Sequence, residues 1–194
     1  MLDKGLFVNG AKYQEFLKNY EEHVATSDYK SILLPNEPYE DGRECYFTQY
    51  GSVTDQTILE YESKYGVKLP EDLKNLLKLQ NGGHVHEFAP YEECAFDSIC
   101  SLTLDTSEDR WLFAMIPVYD WLELRGDVED DEDLANDKEE LERFIILDGD
   151  GHHFLALDYR GGEECKGVVS VSVEGGYYGA EEICTDFKSL FSYW

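Results

Sequence analysis

The fold of this chain is decided by the stretch Ile58-Leu-Glu-Tyr-Glu-Ser-Lys-Tyr-Gly-Val-Lys-Leu-Pro-Glu-Asp-Leu73. Thr57 and Glu60 have the spacing of a capping box, in which a hydroxyl and a carboxylate satisfy backbone N–H groups at a helix start. A helix is therefore predicted over residues 55–65. Gly66 follows as a stop signal, because glycine readily takes the left-handed conformation found after helices.

A second helix begins within the same stretch. Pro70 suits its first turn because proline lacks the N–H that would stay unpaired there. The carboxylates of Glu71 and Asp72 face the positive end of the helix dipole. The buried side of this helix is predicted to carry Leu73, Leu76 and Leu77. Asn81-Gly82-Gly83 predicts the end of the helix, since these residues tolerate the left-handed conformation.

Downstream of these helices the pattern changes to short apolar runs that are typical of strands. The predicted strands cover residues 95–104, 111–118, 143–147, 154–158 and 167–173. Asp148-Gly-Asp-Gly151 predicts a tight hairpin turn, because Asp-Gly pairs supply the positive φ that such turns need. Residues 175–179 are predicted to form a turn before a closing helix at residues 185–193. The expected fold class is α+β, with a mainly antiparallel sheet flanked by helices.

The first fifty residues differ from this pattern. Apolar side chains at helical spacing predict an amphipathic helix over residues 11–24, and prolines then interrupt the chain. A short strand is predicted over residues 44–50. We expect residues 1–52 to form an N-terminal helix and strand elaboration packed on a core domain of residues 53–194.

The whole sequence is strongly acidic. Its 42 Asp and Glu residues against 16 Lys and Arg give a formal net charge of −26. Nucleic acid and anionic membranes would repel such a chain, because affinity for both rests on Lys and Arg, and neither is an expected partner. A basic protein is the complementary case, since opposite fields accelerate encounter. Acidity that only maintains solubility is the competing interpretation.

The sequence carries no sign of export. Its opening residues lack the apolar run of a signal peptide, and the longest apolar run, residues 111–118, is far shorter than the roughly 20 residues of a membrane-spanning helix. The five cysteines are an odd number and include no Cys-x-x-Cys pair, which favours reduced thiols. We therefore expect a cytoplasmic protein.

One segment, residues 126–142, is an unusual run of Asp and Glu. With leucines following the acidic start, it predicts an acidic loop that leads into a surface helix. The candidate contacts for a basic partner are Glu129, Asp130, Asp131, Glu132, Asp133, Glu139, Glu140 and Glu142. A solvated connector without a binding role is the alternative.

The Ile58 to Leu73 stretch, closing at Asn81-Gly82-Gly83, resembles the opening motif of the SUKH superfamily, which includes fungal cell-wall-assembly regulators and many bacterial immunity proteins. The similarity continues through the hairpin ending at Asp158 and through the closing helix, and covers about residues 53–193. The N-terminal fifty residues and the acidic insertion at residues 126–142 are departures from the family pattern.

The resemblance implies structural roles for some residues and catalytic roles for none. The structural positions are Glu62, Gly66, Leu69, Pro70, Asn81, Gly82, Gly83 and Asp158. The implied function is an immunity-type protein that neutralises a cognate basic toxin, such as a nuclease, by binding it in the cytoplasm. The chemistry agrees, because a domain that attracts phosphate presents a basic surface that an acidic inhibitor matches. The alternative is a regulatory scaffold of the cell-wall-assembly regulator type.

Enzymatic hypotheses have less support. No P-loop, Gly-x-Ser-x-Gly, His-Glu-x-x-His or Cys-x-x-Cys motif occurs. The remaining candidate is a divalent-metal site for hydrolysis. Its candidate ligands are His84, His86, His152, His153, Asp148, Asp150 and Asp158. Adjacent histidines on a strand point to opposite faces, and Asp-Gly turns select Asp for geometry. We therefore expect no enzyme activity, no bound metal and no cofactor.

Overall fold

The structure is a computed structural model that describes residues 33, 36–39, 41–85, 98–128, 132–174 and 176–191. The α-helices in these ranges are α1 (Asp55–Tyr65), α2 (Glu71–Leu79), α3 (Val118–Arg125), α4 (Glu132–Asn136) and α5 (Lys138–Leu141). Short 3-10 helices cover Tyr46–Gln49, Glu108–Phe113 and Lys188–Phe191. The strands are β1 (Gly83–His84), β2 (Ser98–Ile99), β3 (Phe144–Gly149), β4 (His153–Asp158), β5 (Val168–Glu174) and β6 (Tyr177–Cys184).

The strands form two antiparallel sheets. Strands β3, β4, β5 and β6 pair in chain order, and β1 pairs with β2. The predicted α+β class with an antiparallel sheet is confirmed. The Asp-Gly hairpin is also present: the Asp150 carboxylate accepts the backbone N–H groups of His152 and His153 at 2.9 and 2.8 Å, and Gly151 has a φ of +97°.

Strand β3 lies deepest in the molecule. Its residues from Phe144 to Asp148 are all buried, so the strand is covered on both faces. Its edge away from β4 is also bonded, because the Cys100 N–H donates to the Leu147 carbonyl at 2.7 Å and the Ile146 N–H donates to the Ile116 carbonyl at 3.0 Å. Burial of both faces explains why the sequence of β3 is a continuous apolar run and does not alternate between apolar and polar residues.

The corner between α1 and α2 is held by buried polar groups. Gly66 ends α1 with a φ of +63°. The Glu62 carboxylate then accepts the Leu69 N–H at 2.8 Å and lies 3.1 Å from the Lys74 ammonium. Pro70 is the N-cap of α2. One detail of the prediction is wrong: the capping box uses Thr54 as the N-cap with Thr57 as its reciprocal partner, so Thr57 is the third helical residue and not the cap.

The Asn81-Gly82-Gly83 turn connects three parts of the chain. The Asn81 amide donates to the carbonyls of Gly51 and Leu102 at 2.8 and 3.0 Å, and its side-chain oxygen accepts the Leu102 N–H at 2.7 Å. Gly82 has a φ of +78°, and a Cβ there would lie 2.4 Å from the Ser101 hydroxyl oxygen. Only glycine fits this close approach.

Two predicted strands are wrong, and both errors have a packing reason. Within residues 44–50 the chain forms the Tyr46–Gln49 3-10 helix, which turns Phe47 into an aromatic cluster with Tyr39 and Phe113. Residues 111–118 form the end of a second 3-10 helix, a buried extended connector and the start of α3. The connector is apolar because it crosses the core, and Pro117 opens the helix that follows.

The C-terminal part also differs from the prediction. Residues 177–179 of the predicted turn at 175–179 belong to strand β6, so a strand and not a helix follows; β6 was missed because its side chains are mostly exposed or half-buried. The predicted closing helix at residues 185–193 is the short Lys188–Phe191 3-10 helix in the described range. Asp186 begins it by accepting the Ser189 N–H at 2.8 Å. Phe187 and Leu190 are buried as predicted.

Some predictions fall partly or wholly outside the described residues. The helix at residues 11–24 lies outside them. Of the predicted strand at residues 95–104, the structure describes residues 98 onward, and only Ser98–Ile99 is a strand there. The division at residue 52 stays a prediction, although Leu33 is buried in the main core and the Asn36 amide donates to the Gly82 carbonyl at 3.2 Å.

Candidate protein-binding face and its groove

The acidic segment, defined here as residues 126–142, is attached to the core by its apolar side chains. It holds ten carboxylates and one cation, Lys138, so it contributes −9 to the formal net charge of −26. Val128, Leu134 and Leu141 are buried in the main hydrophobic core. These three side chains hold the described residues of the segment against the core, while Glu139, Glu140 and Glu142 are exposed.

The structure describes part of the predicted contact set. Glu129, Asp130 and Asp131 lie outside the described residues. Glu132 and Asp133 belong to α4, which lies beside β6, but their side chains are not described. Glu139 and Glu140 lie in α5, Glu142 follows it, and all three side chains are exposed. Together these three are called the α5 carboxylates.

Two of the α5 carboxylates have a cationic neighbour. Arg160 lies 3.4 Å from Glu140, but its stronger contact is with Asp158 at 2.9 Å. Lys138 lies 3.5 Å from Glu142. Glu139 has no ion pair with any residue in the described ranges. Within these ranges Glu139 is thus the one α5 carboxylate without an ion pair, and the negative excess belongs to the acidic segment as a whole.

Asp158, the last residue of β4, differs from the α5 carboxylates because its role is structural. Burial by itself would raise the pKa of Asp158, but the hydrogen bonds from the Arg160 guanidinium and backbone outweigh it and lower the pKa. Arg160 also lies over the Phe144 ring, 4.9 Å from its centroid. Asp158 is thus the inner partner of a fixed pair, and it is not available to another cation.

A groove opens beside α5 and is called the Asp120 groove. Its volume is about 390 Å³, and its lining residues are Lys64, Tyr65, Pro117, Asp120, Glu139, Glu142 and Arg143. The C-terminal end of α1, the first turn of α3 and the α5 region contribute these residues. Three carboxylates face two cations, so the groove carries a formal excess of one negative charge.

Asp120, like Glu139, is an anion of this groove without an ion pair in the described ranges. It makes no salt bridge or hydrogen bond within the part of the chain that the structure describes. Partial burial raises the pKa of its carboxyl, and the neighbouring Glu142 raises it further, while Lys64 and Lys138 offset only part of the effect. A carboxylate in this state is stabilised by any cation that enters the groove.

Tyr65 lines the same groove, and its hydroxyl oxygen is buried. The Lys64 ammonium lies 4.7 Å from the centroid of the Tyr65 ring. Burial raises the pKa of the hydroxyl, and Lys64 lowers it in part.

A comparison with family models identifies the fold. The model of the SMI1 / KNR4 family (SUKH-1) matches residues 52–192, which include every α-helix and β-strand described above. The chain belongs to the SMI1 / KNR4 family (SUKH-1). The resemblance predicted from the α1–α2 stretch is thereby confirmed. Among curated proteins and among solved structures, no significant match to the chain is found.

A second groove of this SUKH-1 domain lies at the α1–α2 corner and is called the Leu69 groove. Its volume is about 270 Å³, and its lining residues are Lys68, Leu69, Pro70, Glu71, Lys74, Glu164, Cys165, Asp186 and Phe187. Lys68 lies 2.7 Å from Glu164, and Lys74 lies 2.8 Å from Glu71. The formal charge of this lining, three carboxylates against two cations, equals that of the Asp120 groove, but here both lysines are held in ion pairs and Asp186 accepts hydrogen bonds from Ser189.

The histidines of the metal hypothesis are dispersed in the SUKH-1 domain. His84 is in β1 and His86 lies outside the described residues, while His152 is in the β3–β4 turn and His153 begins β4. Within the described ranges, no group of three or more His, Cys, Asp or Glu side chains is arranged to hold a metal ion. The Asp148 carboxylate is occupied by the Ser98 hydroxyl at 2.6 Å.

The described helices and cysteines add two further observations. None of these helices is long and apolar enough to cross a membrane. Cys45, Cys100, Cys165 and Cys184 are free thiols. Burial raises the pKa of the Cys100 thiol well above its usual value, which makes it a poor nucleophile.

Sequence reasoning missed Asp120 and Tyr65. The run before Asp120 was interpreted as a strand, which hid the start of α3. A signal was present, because Pro117 followed three residues later by Asp is typical of a helix N-terminus. No signal could have revealed Tyr65, since the groove forms only when three separate elements meet.

Proposed function

We propose that this SUKH-1 protein acts as an immunity-type protein, which binds and neutralises a cognate basic toxin domain and catalyses no reaction. The observation that carries the proposal is the acidic segment, which is folded onto the core by three buried apolar side chains while the α5 carboxylates stay exposed. A segment anchored in this way can present the same charges to a partner in every molecule.

Physical chemistry favours a basic protein as the partner. A toxin domain that acts on nucleic acid must attract phosphate and therefore carries Lys and Arg on its working surface. An acidic face that meets this surface accelerates association and blocks the approach of the nucleic acid. A segment with a large excess of negative charge also discriminates against the many acidic proteins of a cell.

Family membership is equally compatible with a regulatory scaffold of the cell-wall-assembly regulator type. The same acidic face would then bind basic segments of several native proteins. The number of partners separates the two functions, because an immunity protein binds one toxin domain tightly whereas a scaffold binds several unrelated proteins. The toxin-neutralising function is the first candidate because it explains the high charge as well as the fold.

A protection experiment tests the proposal. A candidate basic toxin domain is expressed in cells alone or together with the chain, and cell growth is measured. Co-expression should restore growth. The triple variant Glu139→Gln, Glu140→Gln and Glu142→Gln should bind the purified toxin domain about tenfold more weakly by calorimetry, since each lost contact removes part of the complementary field.

A matched control removes three charges elsewhere. Glu44, Glu60 and Asp109 are exposed, lie outside the acidic segment and have no salt bridge within the described ranges. The variant Glu44→Gln, Glu60→Gln and Asp109→Asn therefore removes the same number of negative charges. Its affinity for the toxin domain should stay within about twofold of wild type. Equal losses for both triple variants would show that total charge acts without a defined face.

A further inference from the structure

The two edges of the four-stranded sheet differ in their backbone pairing. The outer edge of β3 forms backbone hydrogen bonds with Cys100 and Ile116. At the opposite edge, β6 pairs only with β5 in the described ranges. Strand β6 is the longest strand of the sheet and contains neither proline nor lysine, two residues that commonly protect an edge. Its outer side is therefore open to pairing.

The register of β5 shows which backbone groups of β6 face outward. The Val173 N–H donates to the His152 carbonyl at 2.7 Å, so the backbone groups of Val173 face β4. Successive residues of a strand face opposite edges, so the backbone groups of Ser172 face β6. Ser172 pairs with Gly179, which therefore bonds inward. Ala180, the next residue, presents its N–H and carbonyl to the outside.

By the same alternation, the outward residues of β6 are Tyr178, Ala180 and Glu182. All three lie in the part of β6 whose register with β5 is unbroken. Within the described ranges, their backbone N–H and carbonyl groups have no hydrogen bond. Unpaired groups on three alternate residues are what an added strand binds.

The side chains of β6 specify the chemistry of such a strand. Tyr178 and Ala180 pack against the hydrophobic core. On the opposite face Glu181 is exposed, as is Glu182 at the end of the strand, and neither has an ion pair in the described ranges. The side chains of an added strand would alternate in the same way. Apolar residues suit the Tyr178 side, and Lys or Arg suits the side of Glu181.

Charge also decides between a second copy of this chain and a basic protein. A second copy would bring a further formal charge of −26 and its own carboxylates to the same edge. Helix α4 of the acidic segment lies beside β6, so the open edge adjoins the segment that carries the proposed function. One basic partner could therefore contact both.

We propose that β6 is extended by a strand of the basic protein partner, in which Lys or Arg alternates with apolar residues. The outward residues of β6 supply the backbone hydrogen bonds, and Glu181 pairs with a basic side chain. The proposal rests on the proposed function for the charge of the partner. It adds a directional backbone contact to the field of the acidic segment.

The capped peptide Lys-Val-Lys-Val-Lys-Val is the probe, and amide NMR of the full chain reports its binding. The outward amides of β6 should shift saturably, and their hydrogen exchange should slow on binding. The same peptide N-methylated at every residue keeps its charges but has no backbone donors, so it should cause neither effect. Outward amides that stay unprotected, or equal effects of the methylated peptide, would overturn the added strand.

A pair of variants at Ala180 tests the same edge from the protein side. Ala180→Pro removes one outward N–H and no hydrogen bond to β5, and edge strands tolerate proline at such a position. It should weaken binding of the peptide about fivefold. Ala180→Val is similar in size, keeps the N–H and should bind within about twofold of wild type. Thermal unfolding verifies that both variants are folded, and equal affinities of the two would contradict the proposal.

A candidate basic toxin domain separates this proposal from the proposed function. If the domain binds, and the triple Gln variant of the α5 carboxylates weakens it while the outward amides of β6 stay unprotected, the added strand is wrong and the acidic face stands. If the triple Gln variant binds the domain as tightly as wild type, the proposed acidic face fails, and the peptide alone decides the edge.

Discussion

The Leu69 groove and the Asp120 groove are both lined by carboxylates and lysines, but these charges are paired differently in the two grooves. In the Leu69 groove, Lys68 and Lys74 each bind two carboxylates at 2.7 to 3.6 Å. In the Asp120 groove, Asp120 has no salt bridge in the described structure, and Lys64 lies over an aromatic ring instead.

This difference separates carboxylates that stabilise the fold from carboxylates that are available for binding. The first kind is paired and partly buried, as with Glu62, whose side chain is 14% exposed. The second kind is in local excess, so its interaction energy is realised only when a cation arrives from outside. Net charge alone does not distinguish the two kinds; their pairing does.

The largest expected effect is at Glu62. Glu62→Ala would leave the buried Leu69 N–H without an acceptor and remove one carboxylate from Lys74, which should lower the free energy of unfolding by about 3 kcal/mol. Glu62→Gln keeps an acceptor for Leu69 and should lose about half as much. Glu60→Ala on the exposed side of α1 is the control, and urea unfolding measures all three. A loss at Glu62 no larger than at Glu60 would remove the distinction between the grooves.

Tyr61 and Tyr65, both on α1, differ in the hydrogen bonding of their hydroxyl groups. The Tyr61 hydroxyl donates to the Met115 carbonyl at 2.6 Å, whereas the Tyr65 hydroxyl has no partner in the described ranges. Tyr61→Phe should therefore cost about 1.5 kcal/mol of unfolding free energy, because it leaves a buried carbonyl unpaired. Tyr65→Phe should cost nothing or stabilise slightly. Equal losses in urea unfolding would mean that the Tyr65 hydroxyl is already bonded.

The smallest effect, and the one of opposite sign, is at Asp120. Its pKa is raised above 3.8 in the folded protein, so the folded state holds the proton more tightly than the unfolded state. The unfolded chain therefore releases this proton at a lower pH than the folded protein does. The contribution of Asp120 to the free energy of unfolding falls as the pH rises from the unfolded pKa to the folded pKa. Asp120→Asn removes that loss and should therefore stabilise the protein slightly at neutral pH. The gain should shrink on acidification toward pH 3.8; a variant that is less stable than wild type at neutral pH would contradict it.

The sequence predicted the elements whose signals are local. Helices α1 and α2, the Asp-Gly hairpin and the glycine at the end of α1 follow from capping, proline and turn chemistry within a few residues. The family resemblance came from the same stretch. Strand β6 and helix α3 were not predicted, because β6 exposes much of its length and α3 follows an apolar connector whose burial is decided by β3.

The candidate site was predicted only in part. The α5 carboxylates were identified from their charge, which is visible in any sequence. Asp120 is an ordinary residue by type, and what marks it is that it has no ion pair within the described ranges. A missing partner is a property of three dimensions, so it could be found only once α1, α3 and α5 were in place.

The most direct test of the acidic face is the salt dependence of toxin-domain binding. Calorimetric affinities of the wild type and of the triple Gln variant of the α5 carboxylates are compared across a series of salt concentrations. The wild type should lose affinity steeply as salt rises, and the triple variant should start weaker and lose less, because its complementary charges are gone. Affinities that do not change with salt, or identical slopes for the two proteins, would contradict binding through these carboxylates.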